Sequence, residues 1–303
     1  MIVFGEVDFT RLNNRGRMVA PAQVAGNAMP ISQARIQEFG PPSSVPLSLP
    51  RRVVCDLIYF AHKIPSVPVQ QVIDVSRVAS VRTNQTDRVG WCTIFTKAFA
   101  IVAQRMPELR RAYVEYPFAR LYQHPYSVAS VAVEREVDGQ PGVFFAYIPA
   151  PEATPLPELE AILQRYKEAP IAEVFGFIIR FYRFPRFIRR ALWWYILNVR
   201  GSRKAQFLGT FGVSVYSALG AESLHPLSPL TTTMNYGIIG PDGRVPVRII
   251  YDHRAMDGAT VARALGLLSD VLNAEIYQEL AELAGTSTEA VTARGTAAGG
   301  ARK

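Results

Sequence analysis

The sequence predicts an α+β sandwich. Segments of strand alternation and segments of helical spacing interleave without the regular beat of a doubly wound sheet. No Gly-rich phosphate loop, Gly-x-Ser-x-Gly elbow or His-Glu-x-x-His helix is present. At 49% hydrophobic and 19% charged residues over 303 positions, the composition is that of a folded core. That length fits one large or two small domains.

Residues 1–47 are rich in Gly, Asn and Pro and approach the core through Pro41-Pro42-Ser43-Ser44-Val45-Pro46. Such a run predicts an irregular arm, packed on a neighbouring subunit or free. Apolar residues at three- and four-residue spacing predict a helix over 51–63, ended by Pro65 and Pro68. Val67 to Val75 alternates as a strand, and Ser76 is a candidate N-cap for a short helix through Arg82. Trp91 to Met106 predicts a helix buried on more than one side. Val128–Glu134 and Gly142–Ile148 predict a hairpin about Asp138-Gly139. Leu156 to Glu168 predicts a helix.

From 174 to 204 the chain turns aromatic and basic, with Pro185 dividing it. Residues 209–216, 231–239 and 245–252 are strand candidates. A helix from about Ala259 to Leu283 follows, and residues 284–303 form a Gly-, Ala- and Thr-rich tail that predicts disorder.

The formal charge is +8, from 33 Lys and Arg against 25 Asp and Glu. Arg180, Arg183, Arg186, Arg189, Arg190, Arg200, Arg203 and Lys204 supply as many positive charges as the whole excess, with no acid among them. A generally basic nucleic-acid binder is therefore excluded. Arg183, Arg186 and Arg190 beside Trp193 and Trp194 are the ingredients of a contact with an anionic membrane surface or an acidic carrier protein. A helix pair with its Arg turned to solvent is the plainer account.

Cys55 and Cys92 sit among apolar residues, which predicts buried thiols rather than a disulfide framework. The four His and two Cys show no metal-ligand spacing, so no metal is expected. The acidic start is unlike a secretory signal, and no segment is apolar enough to span a membrane. A cytoplasmic location, with membrane association left open, is the expectation.

Tyr251-Asp252-His253-Arg254-Ala255-Met256-Asp257-Gly258 lies between a strand and a helix. A rigid strand-to-helix corner suits a catalytic group, and a histidine there can act as a base near neutral pH. Asp257 would brace the turn or pair with an Arg.

Asp-His-Arg-x-x-Asp-Gly resembles the active-site signature of the catalytic domain of 2-oxo acid dehydrogenase acyltransferases, whose fold chloramphenicol acetyltransferase shares. Three further stretches resemble that family: Arg51–Arg82, Phe95–Leu109 and Gly209-Thr210-Phe211-Gly212-Val213-Ser214. The likeness covers about residues 48–283 and is poorest in the middle.

The resemblance implies a two-layer sandwich on a mixed sheet and transfer of an acyl group from a thioester such as acyl-coenzyme A. His253 would deprotonate the acceptor, Ser214 would donate to the oxyanion, and Asp257 would hold the local architecture. Ser217 is a rival for the donor, and Asn235 and Tyr251 would line the pocket. It further implies a homotrimer whose sites lie between subunits. The stretch before the match lacks room for a lipoyl domain and the helical pattern of a peripheral-subunit-binding domain. No covalently bound lipoyl group is expected, and the acyl group would come from a small-molecule thioester or a partner's acyl-carrier or lipoyl domain. The alternative is a silent scaffold or binding protein of the same fold; a hydrolase is a third reading.

Overall fold

The computed structural model describes residues 43–285, Thr86 excepted. Contacts divide the chain at Pro46/Leu47. Residues 43–46, the described part of the first unit, are exposed. Nearly all of the expected arm (1–47) and tail (284–303) lies outside the described residues.

The second unit opens with α1 (Leu49–Ala61), whose first turn is capped by Ser48. Then come β1 (Ser66–Asp74), α2 (Ser76–Thr83) and α3 (Trp91–Arg105). Ser76 is not a cap: it is the first helical residue, and its N–H donates to Asp74 Oδ1 at 2.9 Å. A hairpin of β2 (Arg111–Val114) and β3 (Arg120–Gln123) stands apart as a two-stranded sheet. The long hairpin β4 (Val128–Val137) and β5 (Gln140–Pro149) turns on Asp138 and Gly139, both at positive φ, as a tight hairpin requires.

Helix α4 (Leu156–Glu168) leads into the aromatic segment, which forms four helices: α5 (Ile171–Val174), α6 (Gly176–Phe181), α7 (Arg186–Asn198) and α8 (Gly201–Leu208). Pro185 is the N-cap of α7, so it divides the segment. Strands β6 (Phe211–Val213), β7 (Thr232–Tyr236) and β8 (Arg244–Asp252) complete the sheet. Helix α9 (Gly258–Val271) continues through a π-turn at Leu272–Ile276 to residue 285.

The main sheet has the order β1-β8-β7-β6-β4-β5. β6 is parallel to both β4 and β7, and the other pairings are antiparallel, which makes the sheet mixed. Alternation along each strand sends side chains to two faces. One face carries Ala129, Val131, Phe211, Val213, Met234 and Ile249 into a core with α3, α4 and α9. The fold is the two-layer α+β sandwich.

Ser130, Phe145, Gly212 and Thr233 belong to the other face. Against it lie α1 and the segment α6–α8, through a cluster of Phe60, Trp193, Leu197, Leu208 and Leu230. Asp56 of α1, 1% exposed, receives Arg189 Nε at 2.9 Å and Arg190 Nε at 3.2 Å. Arg190 also lies 3.7 Å over the Tyr59 ring, and Phe60 stacks on Trp193 at 5.6 Å. Arg189 is thus buried and paired, not turned to solvent.

Strand β6 is shorter than the 209–216 stretch that the alternation suggested. Gly209 has φ +90°, and a Cβ there would stand 2.9 Å from Val128 O, so this position needs glycine. Thr210 then joins β4 at both ends, its N–H donating to Val128 O at 2.7 Å and its Oγ1 accepting from Val128 N at 2.9 Å. Cys55 is exposed, against expectation, because it falls on the outer side of α1. Cys92 is partly buried, and burial pushes its thiol up to about 11.

Candidate active site

Strand β8 delivers Asp252 to the sheet end, and the chain turns through His253–Asp257 into α9. His253 N–H donates to Pro65 O at 3.1 Å, which ties the turn to the start of β1. The imidazole is half-exposed, its Nδ1 3.8 Å from Asp257 Oδ1 and its ring 5.4 Å from the Tyr251 ring. Asp257 is 85% exposed and caps no backbone N–H at the head of α9. The expectation that it braces the turn is corrected. Its carboxylate faces the imidazole instead.

The brace is Asp252, which pattern reasoning overlooked. Its carboxylate is buried and accepts from Arg254 N at 3.0 Å, Nε at 2.9 Å and Nη2 at 2.8 Å. Its own N–H donates to Thr231 O at 2.8 Å. Arg254 in turn lies 4.4 Å over the Tyr113 ring, so the β2–β3 hairpin backs this turn. The signal in the sequence was an Asp and an Arg two apart flanking the histidine.

Lys204 of α8 is buried in the field of the same pair. Burial brings its ammonium down to about 8, with Asp252 opposing and Arg254 assisting that shift. His124 is buried nearby in charge terms: burial, then Lys204 and Arg110, take its imidazole down to about 4. A further imidazole, His225, pairs through Nε2 with Ser66 Oγ at 2.9 Å, next to Pro65.

Ser214 sits elsewhere. It follows β6 by one residue, and its N–H donates to Met234 O at 3.2 Å. Asn235 is fully buried and is not among the walls of the three cavities described below; its Nδ2 donates to Ser214 O at 2.7 Å. Arg248 reaches Glu222 at 2.9 Å and Asn235 Oδ1 at 3.5 Å, so an ion-paired network fixes the Ser214 backbone. Arg248 beside it, together with a backbone N–H from Ile238, holds the Glu222 carboxyl below its usual range.

Ser214 lines a cavity of about 310 Å³, with Tyr216, Ser223, Ser228 and Thr233 among its other walls. Ser217 opens the 3₁₀ turn Ser217–Leu219 and is not part of that lining. Tyr251 is buried beneath the turn and lines none of the cavities described below; its hydroxyl comes within 3.2 Å of where a Cβ on Gly258 would stand. That approach explains the glycine.

The aromatic segment divides its expected contacts. Arg183, Arg186 and Trp194 are exposed, as are Phe184 and Phe187. Trp193 is buried on Phe60 and Arg190 is spent on Asp56 and Tyr59, so neither points to an outside surface. Among the described residues, no helix is long and apolar enough to cross a membrane. No group of three or more His, Cys, Asp or Glu among them could hold a metal ion.

No protein-family model matches the chain, and no curated protein does. Solved structures share its fold. Azotobacter vinelandii dihydrolipoamide acetyltransferase superposes with TM-score 0.58 at 18% identity, over 83% of this chain and 99% of that one. A probable dihydrolipoamide acetyltransferase from Listeria monocytogenes gives TM-score 0.55 at 12% identity, over 77% and 94%. A truncated catalytic core of the 2-oxoacid dehydrogenase multienzyme complex from Thermoplasma acidophilum gives 0.54 at 16% identity, over 77% and 99%. This chain shares its fold with these dihydrolipoamide acetyltransferases and with that dehydrogenase-complex core.

Proposed function

We propose that this chain is an acyltransferase that moves an acyl group from a thioester, such as acyl-coenzyme A, to a nucleophilic acceptor. The observation that carries the reading is the setting of His253. Its imidazole is accessible while its backbone is pinned to β1 and its turn is locked by the buried Asp252–Arg254 pair. A base must reach substrate and hold still, and this one meets both conditions. A silent scaffold has no use for an accessible base so held. The fold supports acyltransferase chemistry in general terms. The Azotobacter enzyme was studied for the roles of a serine, a histidine and an asparagine in its catalytic mechanism, with the last two four positions apart, the spacing of His253 and Asp257 here.

His253 takes the proton of the acceptor as the acceptor attacks the thioester carbonyl. The C–S bond then breaks, the thiolate leaves with the proton returned by His253, and the ester or thioester of the acceptor remains. Base catalysis contributes roughly 10²–10⁴ in rate. Ser214 donates to the carbonyl oxygen as it becomes negative, worth about 10²–10³. Asp257 steadies the imidazolium formed midway.

Ser214 works opposite a His253 from a neighbouring subunit, in a trimer. The exposed Phe184, Phe187 and Trp194 beside Arg183 and Arg186 favour an anionic membrane surface as the place of work. The experiment is release of free thiol from a panel of acyl-coenzyme A donors with candidate acceptors, comparing wild type with His253→Ala. Acceptor-dependent release that vanishes in the variant supports the reading. Release unchanged in His253→Ala would remove His253 from it.

A further inference from the structure

Three cavities adjoin on the sheet face away from the main core. The first, of about 300 Å³, lies between the sheet and α6–α8, with Phe145, Phe181, Trp193, Phe207 and Leu208 among its walls. A second, of about 220 Å³, shares Phe145, Tyr147, Phe177 and Phe207 with it. The third is the 310 Å³ cavity at Ser214, which shares Leu57, Ser130, Phe145 and Leu230 with the first. Each is near the lower bound for small-molecule sites, about 300 Å³, and Phe145 lines all three, so together they offer more room than any one alone.

The polarity is graded along this slot. No carboxylate or lysine lines the first cavity, and its one charged wall residue, Arg203, is exposed and bonded to Gln206 at 2.9 Å. Hydroxyls gather at the other end: Ser214, Ser223, Ser228 and Thr233. Thr233 is 4% exposed, and its Oγ1, itself closed off from solvent, has no partner among the described residues. A buried hydroxyl without a partner is costly, and it is relieved by a ligand acceptor such as a carbonyl oxygen. Unfilled apolar space is costly as well.

We infer that the slot takes the hydrocarbon chain of a long-chain fatty acyl substrate, with its carbonyl end at Ser214 and Thr233 and its tail beneath the aromatic segment. An acetyl group would leave the first cavity empty. A polar or charged tail would be stripped of water among Phe and Trp with nothing to replace it. The placement of the head rests on the proposed oxyanion role of Ser214, whereas the tail site stands on the cavity alone.

The test titrates the intact chain with straight-chain fatty acids from butanoic to stearic acid, followed by calorimetry. Kd is expected to tighten about fourfold per added methylene until the slot is full. Leu57→Trp narrows the wall shared by the first and third cavities and shortens the longest chain that still gains affinity. Phe145→Ala widens it and moves that limit to longer chains, with Phe145→Leu as the milder form should the first variant melt early. Thr233→Val weakens binding of every length by a similar factor. Affinity independent of chain length, or a limit unmoved by both wall variants, overturns the inference. His253→Ala retains the graded binding. Graded binding in a protein that transfers no acyl group from any donor would end the acyltransferase reading and leave the slot in place.

Discussion

Ser214 and His253 leave the sheet at opposite ends. Ser214 lies one step beyond the Val213–Met234 pair, level with Asn235 and hence with Arg248, while His253 follows the far end of β8. Five residues of extended strand separate those levels, roughly 17 Å. One chain therefore does not close a site containing both.

Mixed subunits should rescue two dead variants. His253→Ala and Ser214→Ala, each inactive or nearly so alone, are expected to regain a measurable fraction of thiol release when co-expressed and purified together. Sedimentation would show the mixed oligomer. Activity no higher than the mean of the two single variants would leave Ser214 without a role opposite His253.

The two aspartates of the motif should separate cleanly. Asp252→Asn removes a buried charge beneath Arg254 and is expected to lower Tm by several degrees and activity with it. Asp257→Asn touches no cap and no buried group, so Tm should hold. Its effect belongs in kcat, about tenfold, with KM little changed. A thermal melt and a kinetic assay on the same preparations decide it.

Asp56 holds two guanidinium groups, one of them buried. Asp56→Ala strands both and is expected to cost about 3–5 kcal/mol in urea unfolding. Replacing Asp56 and Arg189 together with Leu and Met should cost less than Asp56→Ala alone, because the more deeply buried guanidinium is then gone and only the partly exposed Arg190 is left without Asp56.

Two buried bases predict a pH profile of stability. His124 has its imidazole at about 4 against an ordinary 6.5. Between those values the unfolded chain takes up a proton that the folded chain refuses, so stability falls as pH drops from 6.5 toward 4. Lys204 sits at about 8 against 10.5, so stability rises as pH climbs through that window. Each step is on the order of 3 kcal/mol. His124→Gln should flatten the acid limb and leave the alkaline one, whereas Lys204→Met should flatten the alkaline limb and also shrink the acid one, because the Lys204 charge contributes to the lowering of His124.

Much of the sheet could be read from alternation, because β1, β4, β5 and β8 run nine or ten residues with one face in the core. β2 and β3 were missed: at four residues each, a pair of period-two steps is too short to stand out. His253 was legible from a motif on a strand-to-helix corner. Asp252 was not, since a carboxylate in a strand reads as solvated until Arg254 folds back onto it. Asn235 and Tyr251 were placed at the pocket by the resemblance and by no pattern of their own. Both are buried, Asn235 holding the Ser214 backbone and Tyr251 lying beside Gly258. The slot left no local signal, for its walls come from α1, β4, β5 and α6–α8 and meet only in three dimensions.

That dispersion governs how the slot assembles. Asp56 and Arg189, which clamp α1 to α7, are 133 residues apart in the chain. Closing so long a loop carries an entropic cost that local elements do not face, and contacts of this range form late. The core under α3, α4 and α9 involves neither α1 nor α7 and has no need to wait for the clamp. The clamp over the slot therefore joins α1 to α7 without drawing on any residue of the main core.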